Sequence, residues 1–342
     1  MKVASLNFDL GGIRLSVRGT EPYAMKWFAD ELGFHVAADD RDKAPDLYVL
    51  LPRGGGSGDW AAHSRRGVAR WRYRVEDHGA SLQIAAHGTR LAVPLVFHML
   101  VSPAIRLLAA RCGKLMLHSG TVSEQGRSIM LTGAGGAGKT TTTSLLMAAG
   151  GPERGLQADD YTFVVEGATR PFVTRSHLYG DLLRWVPEVR QQLRPDQRMR
   201  AYALQAARDW SKGALRWPVR VPQEQLWGRR SVDAEAVPSA LVVLERAPIP
   251  APELHEVERP LDVVEPLLAM NFDEASHFVA LLTKSLGVAR VERILAEWRD
   301  TERELISELV RTTPVWKLRM PFVADAGGTH MMVGALEKLL QR

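Results

Sequence analysis

The sequence predicts an α/β fold, and three observations carry that reading. Residues 133–140 read GAGGAGKT and fit the pattern G-x-x-x-x-G-K-[ST] in full. The strand-like run Ser128-Ile129-Met130-Leu131 precedes them, and Thr141 to Ala149 (TTTSLLMAA) follows as a helix. Elsewhere, short β-type runs and helical periodicity mix along the whole chain.

Taken in order, residues 1–90 form a small N-terminal α/β domain. Ile13 to Val17 reads as a strand, Pro22 to Leu32 as a helix and Asp46 to Leu51 as a strand. Gly54 to Gly58 (GGGSG) is a surface loop, since β-type segments resume after it. Arg70 to Val75 and Ser81 to Ala86 alternate in polarity around Asp77-His78-Gly79 and form a hairpin.

Residues 91–342 form the second domain. The apolar Val93 to Arg111 is a helix. Leu91 to Ala110 is the most apolar stretch, but Pro94, His98, Pro103 and Arg106 make it a buried helix rather than a membrane span. Lys114 to Val122 (KLMLHSGTV) turns at Glu124-Gln125-Gly126 into the strand before the glycine-rich loop. Further strands are expected at Leu156 to Ala158, Tyr161 to Val165, Ala240 to Leu244 and Val315 to Arg319. Helices are expected at Asp273 to Leu286, Val288 to Val310 and Gly334 to Leu340.

Composition narrows the classes. With 46% hydrophobic and 24% charged residues the chain is an ordinary globular one. Cys112 is the single cysteine, which excludes an internal disulfide and a cysteine-based zinc site; a buried or inert thiol is expected. His255, His277 and His330 lack metal-ligand spacing. The N-terminus lacks the apolar core of a signal peptide, so a cytoplasmic protein with no membrane attachment is expected. A formal charge of +5 permits an acidic partner; nucleic acid is considered but is not the partner expected.

That charge is concentrated. Residues 180–230 hold eleven basic and five acidic residues, with Trp185, Trp210, Trp217 and Trp227 interleaved. The segment suits an acidic peptide or phosphorylated ligand, and equally suits amphipathic helices that bury tryptophan and expose arginine.

The loop implies nucleotide chemistry. Gly133, Ala134, Gly135, Gly136, Ala137 and Gly138 curl the backbone around a phosphate, Lys139 reaches the β/γ-phosphates, Thr140 supplies a hydroxyl for Mg2+, and Thr141 opens the helix. Magnesium needs a further oxygen ligand, and Asp159-Asp160 after a short strand is the best source. Two successive carboxylates can divide metal binding and proton transfer, provided that the strand ends there and the chain turns. Arg170, Arg175 and Arg184 follow, any of which could neutralise developing phosphate charge. Gly327-Gly328-Thr329-His330 reads as an anion-binding turn or as the lead into a helix. On the residues alone His118 is an ordinary strand histidine.

His118-Ser119-Gly120, the loop at 133–140 and Ala158-Asp159-Asp160 together resemble the HPr kinase/phosphorylase core, which shares its fold with phosphoenolpyruvate carboxykinase. The resemblance is strong over Lys114 to Val165 and weaker from Ala240 to the C-terminus. It implies a P-loop kinase fold behind the small N-terminal domain, with Asp159 as general base. It places Asp160 and Thr140 around Mg2+, Lys139 on the transferring phosphate and His118 beside the phosphates. It also implies ATP as donor and, because that family often forms hexamers, a homo-oligomer. The family's glutamate-bearing segment that recognises HPr is missing. The small N-terminal unit and Pro314 to Pro321 (PVWKLRMP) resemble the divergent kinases of peptide-modification clusters, including lasso-peptide kinases.

The function expected is therefore Mg2+-dependent transfer of the ATP γ-phosphoryl to a hydroxyl, a serine of a peptide or protein acceptor such as a ribosomal peptide precursor. The alternatives are a small-molecule kinase and a nucleotide-gated binding or regulatory module. A motor ATPase fits less well, for no strand ends in a lone aspartate at the longer separation such proteins show.

Overall fold

The computed structural model describes residues 4–37, 44–51, 60–66, 68–213, 217–228, 232–322 and 326–341. The glycine-rich stretch 54–58 and Arg216, Arg229 and Arg230 fall outside them. The fold is mixed α/β, and contacts divide it into two units. One comprises Met1–Met116 with Val264–Ser307, the other Leu117–Val263 with Glu308–Arg342. The division expected near residue 90 differs from this, because residues 91–116 and 264–307 pack with the N-terminal sheet.

The first unit is built on strands β1 (Ala4–Leu10), β2 (Ile13–Gly19), β3 (Leu47–Leu51), β4 (Ala62–Arg66), β5 (Ala69–Asp77) and β6 (Leu82–Gly88). They lie in the order β1-β2-β3-β6-β5-β4. β5 and β6 pair antiparallel from Trp71–Gly88 to Asp77–Leu82, as the alternating pattern predicts. β2, β3 and β6 are mutually parallel, with helix α1 (Pro22–Glu31) crossing between β2 and β3. β1 was not expected, for Asn7 and Asp9 interrupt its apolar pattern.

The apolar helix exists as α2 (Ala92–Val96), a π-turn at Phe97–Val101 and α3 (Ser102–Arg111). The Ser102 N–H reaches back five residues to the Phe97 carbonyl, the wide π spacing, between the helical turns that hold Pro94 and Pro103. Ala92–Arg111 is long and apolar enough to cross a membrane, yet 78% of its apolar window is buried in the protein, as a core helix requires. Cys112, just beyond it, is exposed rather than buried.

Arg106 projects from α3 into the core, a costly position for an unpaired guanidinium. Glu302 of α10 (Val288–Thr312) neutralises it, with Nε 2.6 Å from Oε1. The Asn271 carbonyl on α9 (Val264–Leu286) accepts from Nη1, and Trp298 Nε1 donates to Glu302 Oε1 at 2.8 Å. α9 begins nine residues before the expected Asp273, because Pro266 sits in its first turn, where the missing N–H costs nothing.

The second unit holds β7 (Leu115–Glu124), β8 (Arg127–Thr132), β9 (Arg154–Ala158), β10 (Tyr161–Val165), β11 (Ala168–Arg170), β14 (Val237–Ala247), β15 (Glu253–Glu256) and β16 (Val315–Pro321). Their order is β11-β10-β7-β8-β14-β16-β15, with β9 also pairing β7. β7 and β8 form the expected hairpin, whose turn residues Gln125 and Gly126 both have positive φ. β8, β14 and β16 run parallel, so their carboxyl ends share one edge of the sheet. Helices α4 (Lys139–Ala149) and α11 (Ala326–Leu340) cover the apolar face of this sheet, burying Leu131, Leu146, Val242, Leu318 and Leu336. α11 starts eight residues before the expected Gly334, and the backbone of residues 327–330 is its first turn rather than an anion-binding loop.

The basic segment folds as β12 (Ser176–Leu178), α5 (Leu182–Trp185), α6 (Pro187–Gln192), α7 (Pro195–Trp210), β13 (Val219–Val221) and α8 (Gln223–Trp227). Tryptophan burial fails as an explanation of it. Trp227 is buried, whereas Trp185, Trp210 and Trp217 are 39%, 84% and 58% exposed.

Candidate functional site

The glycine-rich loop joins β8 to α4, so the expected strand, loop and helix succeed one another. The turn depends on glycine. Gly136 and Gly138 take φ of 83° and 108°, where a side chain is strained. A Cβ on Gly133 would stand 2.7 Å from the Leu244 carbonyl oxygen on β14, so close packing also fixes that position. Ala134, Gly135 and Gly136 form the exposed tip, while Ala137 is buried. Lys139 is the first residue of α4 and is itself buried; its Nζ donates to the Gly133 carbonyl at 2.7 Å. An ammonium folded into the loop at the N-terminus of a helix is suited to charge placed in that loop. Thr141 follows in the first turn of α4.

β9 ends at Ala158, and Asp159 and Asp160 occupy a bend before β10. That break lets both carboxylates serve one side, the condition the sequence set. The Asp159 carboxylate accepts from the His177 N–H at 3.4 Å and lies beside Thr140, whose hydroxyl helps to lower its pKa. Burial, and then the adjacent Asp160 carboxylate, push Asp159 up to about 6, against the lowering effects of His177, Thr140 and Lys139. Asp160 lies with His118, whose Nε2 is 3.2 Å from Oδ1, and the Tyr161 ring is 5.3 Å from the imidazole. The structure thus gathers Lys139, Thr140, Asp159, Asp160 and His118, residues that the sequence spreads over 43 positions.

The strand beneath is specialised for this packing. A Cβ on Gly120 would stand 2.5 Å from Thr143 Cγ2, so glycine lets α4 sit directly on β7. Thr132 Oγ1 donates to the His118 carbonyl at 2.9 Å, and Ser119 Oγ donates to Thr162 Oγ1 at 2.9 Å. These buried hydroxyls tie β7 to β8 and β10, which fixes His118 relative to the loop and to the aspartates.

Of the arginines the sequence offered, Arg170 pairs with Glu235, Arg184 is exposed on α5 and Arg175 is half-buried just before β12. A fourth arginine was missed. Arg246 lies at the carboxyl end of β14 with Nη1 2.7 Å from the Pro321 carbonyl, and its Nη2 would be 3.3 Å from a Cβ on Gly138. Its guanidinium therefore rests against the shoulder of the loop. Only the parallel pairing of β14 with β8 brings it there, more than a hundred residues along the chain from Gly138. Its one visible signal was a cation at the end of an apolar run.

The donors present suit a hard divalent cation. A threonine hydroxyl and carboxylate oxygens are the oxygen set that Mg2+ prefers. No protein-family model matches the chain, and no curated protein matches it.

Proposed function

We propose that the chain is a phosphotransferase that moves the γ-phosphoryl of ATP to a hydroxyl, most simply a serine of a peptide or protein. The reading treats the second unit as a P-loop kinase core of the HPr kinase type. The observation that carries it is the meeting of the GAGGAGKT loop, at Lys139 and Thr140, with Asp159 at one end of β8.

In this reading the acceptor oxygen bonds to the γ-phosphorus as the bond to the β,γ-bridging oxygen breaks, and ADP leaves. Lys139 and the loop amides hold the phosphate chain, and Arg246 adds positive charge from the opposite shoulder. Asp159 takes the hydroxyl proton. A carboxyl near 6 is ionised at neutral pH yet basic enough to accept a proton, the compromise general-base catalysis favours. Mg2+ would be held by Thr140 Oγ1 and an Asp160 oxygen, and would supply neutralisation of phosphate charge. His118 keeps Asp160 oriented at 3.2 Å.

The nearness of Thr140 to Asp159 favours a second allocation, with Asp159 on the metal side and Asp160, paired with His118, as base. Both allocations keep the reaction. Mass spectrometry of serine peptides incubated with Mg2+ and ATP tests it, using wild type, Asp159→Asn and Asp160→Asn. A phosphate gain lost in Asp159→Asn at unchanged Mg2+ affinity supports the first allocation. No transfer to any peptide, with nucleotide bound, turns the reading towards a small-molecule acceptor or a nucleotide-gated module.

A further inference from the structure

Helix α7 carries an exposed apolar stripe that nothing among the described residues covers. Met199, Ala203, Ala206 and Trp210 recur at spacings of four, three and four, which stacks them along one face of a helix. Met199 and Trp210 are 72% and 84% exposed, and Tyr202 beside them is 41% exposed. The opposite face makes the helix's own packing contacts, with Gln197 and Ala201 buried. An unpartnered stripe with a tryptophan at one end marks a surface that meets something.

The charges beside the stripe say what it meets. Arg198 and Arg200 lie about 100° to either side of Met199, so the stripe runs between two guanidinium groups. The helix's acids are already engaged. Asp196 accepts from Arg194 at 3.2 Å, and Asp209 accepts from Gln205 at 2.8 Å. Arg208 is likewise committed, to Asp181 and to the face of Tyr179. Arg198, Arg200 and Lys212 are left with no ion-pair partner among the described residues. The surface is therefore apolar along its centre and cationic at its margins.

Its position gives that chemistry a use. α7 packs against β13, and β13 pairs with β12 through Arg220 opposite His177. The His177 N–H in turn donates to Asp159. Two strand spacings and a helix-on-sheet distance put the stripe on the order of 15–20 Å from that carboxylate, a span that about five or six extended residues cover.

We infer that the outer face of α7 is the docking surface for the acceptor, an acidic peptide segment with apolar side chains that lies along Met199, Tyr202 and Trp210 while its carboxylates meet Arg198, Arg200 and Lys212. This deepens the kinase reading and rests on it. A bilayer is a poorer occupant, since the stripe is narrow and two of its four residues, Ala203 and Ala206, offer little apolar side chain to bury. A second copy is poorer too, since a two-fold contact would set the same cations against one another.

The test is fluorescence anisotropy of a labelled peptide of alternating glutamate and leucine, with its glutamine-for-glutamate analogue and phosphatidylserine vesicles as comparisons. Wild type is compared with Trp210→Ala and with the double variant Arg198→Glu, Arg200→Glu, and nucleotide affinity is followed in every sample. The expected result is salt-sensitive binding of the acidic peptide at least about tenfold tighter than the analogue, weakened about tenfold or more by either variant, with nucleotide affinity unchanged. No binding of the acidic peptide, equal binding by the variants, equal binding of the analogue, or Trp210-dependent binding of vesicles or of a second copy in its place overturns the inference. Loss of nucleotide binding by wild type sinks the kinase reading instead, and is read in the same samples.

Discussion

Thr140 lies beside the Asp159 carboxylate and helps to lower its pKa, so the last residue of the glycine-rich loop and the first residue after β9 belong to one site. A helix and a strand separate them in sequence, and Gly120 beneath α4 is what allows the two to close up.

Gly120→Ala therefore forces β7 and α4 apart or displaces the Thr143 methyl. The expected loss is about 1–3 kcal/mol in denaturant unfolding, with weaker nucleotide binding. Thr143→Ser removes the clashing Cγ2 and keeps the hydroxyl that bonds the Lys139 carbonyl at 3.0 Å. The double variant should recover most of the loss, a coupling that independent sites would not show.

Asp159 makes two pH-dependent predictions. On the proposed reading, Asp159 as base gives kcat/KM of the wild type an acidic limb with an apparent pKa near 6. Its effect on stability has the opposite sense from that of an ion-paired carboxylate. The folded value of about 6 lies above the unfolded 3.8, so the carboxyl favours the fold below about 4. That contribution is lost as pH rises to about 6. The cost at neutral pH is on the order of 3 kcal/mol. Asp159→Asn should be more stable than wild type near pH 8 and lose that advantage near pH 4, as read by denaturant unfolding at each pH.

Arg246→Gln keeps a donor for the Pro321 carbonyl but removes the positive charge at Gly138. Affinity for Mg2+-ATP is expected to fall about tenfold, with a smaller change for adenosine, because charge-assisted contacts to phosphate are lost. Arg246→Lys should recover part of it. Equal losses for ATP and adenosine would assign the arginine a purely structural role.

In the first unit, Glu302→Ala strands the Arg106 guanidinium in the core and should cost about 3–5 kcal/mol. Replacing both residues, Arg106→Met with Glu302→Leu, should restore most of the stability in the same unfolding measurement.

The parts of this fold that could be read from the sequence are those coded locally. The loop, its flanking strand and helix, the β5–β6 and β7–β8 hairpins and the bend at Asp159-Asp160 each lie within about twenty residues of chain. Three features were not legible, two of them because they depend on distant pairing. Arg246 meets Gly138 only because β14 runs parallel to β8. α9 packs beside β5 and joins the N-terminal unit across an intervening unit of the chain. The tryptophans of the basic segment lie mostly outside the core, which no periodicity of Arg and Trp can distinguish from burial. β1 and the starts of α9 and α11 were lost to residues usually read as breakers, namely Asn7, Asp9, Pro266, Gly327 and Gly328.

The most direct test of the central claim, that the loop holds nucleotide phosphates for transfer, is calorimetric binding of ATP with Mg2+ to wild type and to Lys139→Ala, with adenosine as the comparison. Mg2+-dependent ATP binding that falls about a hundredfold or more in Lys139→Ala, with weak adenosine binding throughout, is the expected result. Absent ATP binding, or equal affinity in the two proteins, would contradict it.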